Sequence, residues 1–139
     1  MYILDTCIIS ELRKKKPNHF VMSWINQRRN DSFFLSVVTI GEIEKGIEKK
    51  RASDVDFANE LAKWLDTIIF DYNNFILPIT TDISRRWGIL SAKIGHDGAD
   101  LLIAATALVH GYTVATRNTN HFIPAGVQVS NPFEEDAMP

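Results

Sequence analysis

The chain has one cysteine, Cys7, in 139 residues. No intrachain disulfide can form, which fits a reducing compartment and sets a cytoplasmic expectation. No apolar run approaches the ~20 residues that span a bilayer, so no membrane segment is expected. The opening MYILDT turns polar too soon to read as a secretory leader. Gly-x-Gly-x-x-Gly, the P-loop and the Gly-x-Ser-x-Gly elbow are all missing, which removes support for dinucleotide, nucleoside triphosphate and serine-hydrolase chemistry. The four histidines show no zinc-ligand spacing. Charge is nearly balanced at −2, so bulk electrostatics alone would not hold a nucleic acid. A bound cation would add positive charge where a phosphate arrives, so a nuclease stays open.

What remains is a chain of one-domain size, 45% hydrophobic, that can bury a real core. Residues 1–133 read as one domain and 134–139 as a polar tail. Tyr2 to Leu4 and Phe33 to Leu35 read as short buried strands. A helix is expected from Thr6 into the basic run before Pro17, and another from about Asn18 to Asn30–Asp31. Ser36 or Thr39 leads into a helix through Lys50. Ser53 and Asp56 form a capping box for the next helix, with its apolar stripe from Ala58 to Tyr72. Phe75 to Leu77 is a short strand, and Thr80 or Thr81 opens a helix that Gly95 closes. Asp97 caps a nearly all-apolar helix ending at His110. Tyr112 to Thr116 and Val127 to Val129 complete the pattern. It implies an α/β fold with a mostly parallel sheet of about five strands.

In such a sheet the carboxyl ends of the strands form one rim, where ligands bind. Asp5, Glu42 and Asp100 all fall near that rim. Gathered carboxylates repel one another and lose hydration, and a hard divalent cation with oxygen ligands relieves both. Each acid also has a structural reading. Asp5 can cap the helix at Thr6. Glu42 can pair with Lys45 on the helix surface. Asp100 can serve the helix dipole or a capping box. Their shared rim favours a metal site and phosphate chemistry.

Around them, Thr6, Ser36, Thr39 and Thr116 are hydroxyls able to orient carboxylates. Arg117 can clamp a phosphate or pair with an acid. Cys7 reads as an inert buried thiol. His121 follows the VATRN stretch and can lie near the site, though a surface or structural role fits it better.

The stretches YILDTCIISEL (2–12), LSVVTIGEIEKGI (35–47), DLLIAATALVHGYTVATRN (100–118) and NPF (131–133) together resemble a PIN domain. The closer resemblance is to the VapC-type toxins of bacterial toxin–antitoxin pairs. It implies a three-layer α/β/α sandwich and an acidic cluster that binds Mg²⁺, with Mn²⁺ as substitute. Asp5, Glu42 and Asp100 match the family's acids, and Thr6 and Thr116 its supporting hydroxyls. Asn118 and His121 stand where members carry a fourth acid, and Asp97 is a possible replacement. Cys7 replaces the usual asparagine after Asp-Thr. The implied activity is hydrolysis of RNA to 5′-phosphate and 3′-hydroxyl ends. A small antitoxin and a homodimer or higher assembly are the implied partners. A catalytically silent PIN-like module that binds RNA or protein is the alternative.

Overall fold

A computed structural model describes residues 1–134, so the expected tail lies outside the described residues except for Glu134. The elements run β1 (Tyr2–Leu4), α1 (Thr6–Leu12), α2 (His19–Asn26), β2 (Phe33–Ser36), α3 (Val37–Arg51) and α4 (Val55–Asp71). They continue with β3 (Ile76–Leu77), α5 (Thr81–Ile94), α6 (Ala99–His110), β4 (Thr113–Ala115), α7 (Thr119–Phe122) and β5 (Val129–Ser130). The strands order as β3-β2-β1-β4-β5 and every pairing is parallel. The register sets Tyr2 beside Phe33 and Thr113, with Ile3 beside Val114.

Alternation along these short strands builds two cores. Tyr2, Leu4, Phe33, Leu35 and Ala115 face one cluster, which α1 to α4 cover with Ile8, Val21, Trp24, Ile43, Ile47 and Leu65. Ile3 and Val114 face the other, which α5, α6 and α7 close with Ile83, Leu90, Leu101, Ile103 and Phe122. The result is the expected three-layer α/β/α sandwich. Each large aliphatic side chain buried this way contributes ~1.5–3 kcal/mol.

Several boundaries differ from expectation. The first helix stops at Leu12, before the basic run, because Glu11 turns to accept from Lys14 Nζ at 2.8 Å and Asn18 N at 2.9 Å. The second stops at Asn26, where Arg28 Nη1 bonds back to Trp24 O at 2.8 Å. Asp54, not Ser53, caps α4, accepting from Phe57 N at 3.1 Å. Gly98, not Asp97, stands at the cap of α6. Its N–H is taken by His96 Nδ1 at 3.2 Å, so the loop before the helix is held by a histidine ring. The last strand starts two residues and ends one residue later than read, and the four-residue α7 before it was not foreseen.

Candidate active site

Three strand ends deliver the site. Leu4 ends β1, so Asp5 emerges at the rim, and its N–H still extends the ladder to Ala115 O at 3.0 Å. Ser36 ends β2 and caps α3 by accepting from Val38 N, which lifts Glu42 onto the same rim. Ala115 ends β4 and places Thr116 beside Asp5. Asp100 arrives from the first turn of α6.

Asp5 is 4% exposed, and both of its oxygens are engaged. Oδ1 accepts from Thr6 N at 2.9 Å, and Oδ2 from Thr116 Oγ1 at 2.8 Å. The carboxylate therefore caps α1 and faces the site at once, so its two readings are compatible. Thr6 then reaches the other way, its Oγ1 donating to Glu42 Oε1 at 2.9 Å. Glu42 makes no ion pair with Lys45 among the described residues, contrary to the surface reading. Its partner comes from α1, 36 positions earlier.

Burial is the main cause that raises the proton affinity of both acids. At Asp5 it outweighs the hydrogen bonds from Thr116 and Thr6, and the Asp100 charge raises it further. At Glu42 burial again leads, opposed by the Thr6 hydroxyl, reinforced by the charges of Asp5 and Asp100, and opposed more weakly by the charge of Lys45. The three carboxylates thus sense one another electrostatically. No cationic side chain pairs with Asp5 or Glu42 among the described residues. Asp100 does have a partner: His121 Nδ1 lies 2.9 Å from its Oδ2.

Oxygen donors, mutual repulsion and the absence of a direct ion pair at Asp5 and Glu42 among the described residues fit a hard divalent cation. Among the described residues, no three His, Cys, Asp or Glu side chains form a ready-made cage. Mg²⁺ does not need one, since it keeps several waters and uses one or two carboxylates.

The remaining candidates separate. Asn118 N donates to Thr116 Oγ1 at 2.9 Å, so Asn118 steadies the hydroxyl through its backbone. Arg117 forms no ion pair among the described residues, and its guanidinium lies 3.6 Å over the Phe133 ring. Asp97 is exposed in the α5–α6 loop, lining a surface cleft with Ser91, Gly95 and His96. Cys7, read as an inert buried thiol, is half-buried and touches the site. Its Sγ lies 3.8 Å from Asp5 Oδ2 and 3.7 Å from Thr116 Oγ1, and accepts from Arg117 N at 3.4 Å. Its two-residue offset from Asp5 at the start of a helix was the available signal. For His121 the signal was its place after VATRN, though a surface or structural role fitted it better and the short α7 that carries it was not foreseen.

Residues 2–125 match the PIN-domain family. The chain belongs to the PIN-domain family. This PIN domain is 36% identical over 141 residues to VapC ribonuclease Y4jK of Sinorhizobium fredii, covering 96% of this chain and 99% of that protein. It is 32% identical over 146 residues to Toxin FitB of Neisseria gonorrhoeae, covering 97% and 100%. The crystal structure of FitAcB from Neisseria gonorrhoeae matches the PIN domain at a TM-score of 0.83 and 31% identity, over 96% of this chain and 99% of that one. Among the described residues, no helix is long and apolar enough to cross a membrane.

Proposed function

We propose that this PIN domain is a metal-dependent endoribonuclease and the toxin of a toxin–antitoxin pair, acting in the cytoplasm. The observation that carries the chemistry is the Asp5–Thr6–Glu42 relay with Asp100 in electrostatic contact. The relatives named as a ribonuclease and as a toxin support the substrate and the biological role. The reading takes residues 1–133 as one nuclease domain.

Asp5 and Asp100 would hold Mg²⁺, or Mn²⁺ in its place, with Glu42 binding directly or through a water. Bound there, the cation neutralises phosphate charge and makes a water more acidic. The protein's part is orientation. Thr6 and Thr116 fix both oxygens of Asp5, and Thr6 also fixes Glu42, so the carboxylates need little reorganisation when phosphate arrives. Water supplies the attacking oxygen in line with the leaving 3′-oxygen. The bond from phosphorus to that oxygen breaks, leaving a 5′-phosphate and a 3′-hydroxyl. Arg117 would meet substrate phosphate after leaving the Phe133 ring. No side-chain nucleophile is required.

An antitoxin would cover this rim and suppress cleavage. A homodimer or a larger assembly with the antitoxin is part of the same reading. Exposed apolar side chains on α4 and α5, with Phe70 82% exposed and Ile89 52% exposed, support contacts through those helices.

The test is RNA cleavage by the purified chain with Mg²⁺, with Mn²⁺ and with EDTA, and by Asp100→Asn. Cleavage should need metal and vanish in the variant. Equal cleavage in EDTA would sink the metal reading. RNA binding without cleavage under any condition would instead mark a silent module.

A further inference from the structure

Beside Asp100, on the side bearing His121, lies a cavity of about 290 Å³. Ile94 and Pro124 give it apolar walls, and His96 and Asn120 give it polar ones. None of its lining side chains is a lysine or arginine, and one is the Asp100 carboxylate, so it repels phosphate. The Asn120 side chain is exposed, and no described protein group bonds its amide, which leaves it open to a ligand or to water. His96 is held in place by its own loop. Ser91 Oγ donates to its carbonyl at 2.9 Å, and Gly98 N donates to its Nδ1 at 3.2 Å. A Cβ at Gly98 would stand 3.3 Å from that nitrogen, so the ring rests directly on the glycine. With Nδ1 accepting, the ring proton of His96 sits on Nε2, which is its free donor.

A flat aromatic ring, apolar walls, an unpartnered amide and no cation form the chemistry that receives a base. Single-stranded RNA is read in this way, by stacking on aromatic side chains and hydrogen bonds to base edges. We propose that this cavity captures one nucleobase of a single-stranded RNA, the base of a nucleotide adjoining the scissile phosphate. His96 supplies the stacking face and Asn120 the edge contact. The assignment to the adjoining nucleotide rests on the nuclease reading, because Asp100 belongs to both the acid group and the cavity wall.

The experiment uses the full chain carrying Asp5→Asn, with Mg²⁺ at low salt, and short single-stranded RNAs followed by fluorescence anisotropy. An abasic ribose is moved through the strand one position at a time. One position should weaken binding by about tenfold, the scale of a lost stacking contact. His96→Ala should abolish that sensitivity, and His96→Phe, which keeps a stacking face, should restore it. Equal binding of all abasic strands, or unchanged sensitivity in His96→Ala, overturns the proposal, as does the absence of RNA binding. Cleavage by the wild-type chain is a separate readout. Metal-dependent cleavage without base dependence sinks the pocket alone. Base-dependent binding by a chain that never cleaves leaves the pocket standing and sinks the nuclease reading.

Discussion

The hydroxyl of Thr6 donates to Oε1 of Glu42 at 2.9 Å, while the Thr6 amide donates to Asp5 Oδ1 at the same distance. One residue thus aligns two carboxylates, one capping α1 and the other within α3. Thr6→Val keeps the shape and the amide but removes the hydroxyl. Glu42 then swings free and loses a contact that favours its charged form. Partners of this kind are worth about 10–100-fold in metal affinity or activity. Isothermal titration with Mn²⁺ should show such a loss in Thr6→Val and recovery in Thr6→Ser. Wild-type affinity in Thr6→Val would mean that Glu42 needs no orientation.

Asp5 and Glu42 tie the site to stability. Both hold protons above the ordinary values of 3.8 and 4.5, chiefly because they are buried. The folded state therefore binds protons more tightly than the unfolded chain. Their penalty is absent below the ordinary values and complete above the raised ones, so their contribution to stability falls as pH rises through that window. Glu11 works in the opposite sense. Lys14 and the Asn18 amide lower its value, so its contribution is lost as pH falls. The difference between wild type and Asp5→Asn isolates the first effect. In metal-free thermal melts, Asp5→Asn should gain on wild type as pH rises from about 4 to about 7. A constant difference would show that Asp5 is not strained in the folded state.

Metal should reverse that penalty. A ligand at one hundred times its Kd adds about 2.7 kcal/mol, a rise of roughly 10 °C in Tm for a chain of this size. Wild type should show that rise with Mn²⁺, and Asp5→Asn should show little of it. The rise should shrink at about pH 5, where protons compete for the same oxygens. Equal shifts in both proteins would place the ion elsewhere.

The sheet and its rim were legible because short apolar strands alternate faces and parallel connections bring their carboxyl ends together. That logic reached Asp5, Glu42 and Asp100 from residue spacing. It also reached Thr6 and Thr116 as hydroxyls able to orient them, and both hydroxyls donate to those acids, but it did not reach the Cys7 contacts. Cys7 meets Thr116 across 109 positions because β1 lies beside β4, and nothing local to Cys7 encodes that adjacency. Asp97 and Gly98 are both competent caps by residue type. The His96 ring decided between them by taking the Gly98 amide. In α7, four residues give too short a repeat to show periodicity, and tertiary burial of Phe122 supplies what local preference lacks.

If the proposed metal site includes His121, that residue would bear on which ion is preferred. Its Nδ1 stands 2.9 Å from Asp100 Oδ2, close to the ~3 Å between neighbouring ligand atoms around an octahedral ion with bonds of about 2.1 Å. An imidazole favours Mn²⁺ and later first-row ions over Mg²⁺. His121→Asp should strengthen Mg²⁺ relative to Mn²⁺, and His121→Ala should weaken Mn²⁺ more than Mg²⁺. Competition titrations read the ratio directly. An unchanged ratio in both variants would make His121 only a hydrogen-bond partner of Asp100.

Phe122 is the buried residue of the four-residue α7 that also carries His121. Its ring is fully buried in the core beneath α6, next to a helix too short to hold itself. Phe122→Ala should cost about 3–5 kcal/mol in urea unfolding, the range for a large buried aromatic. Phe122→Leu keeps most of the volume and should cost under about 1.5 kcal/mol. If α7 is a mount for His121, the two variants should differ in a second way. Phe122→Ala should shift the Mn²⁺-to-Mg²⁺ preference toward that of His121→Ala, while Phe122→Leu keeps the wild-type preference. Loss of stability in Phe122→Ala with an unshifted preference would show that the core contact and the placement of His121 are independent.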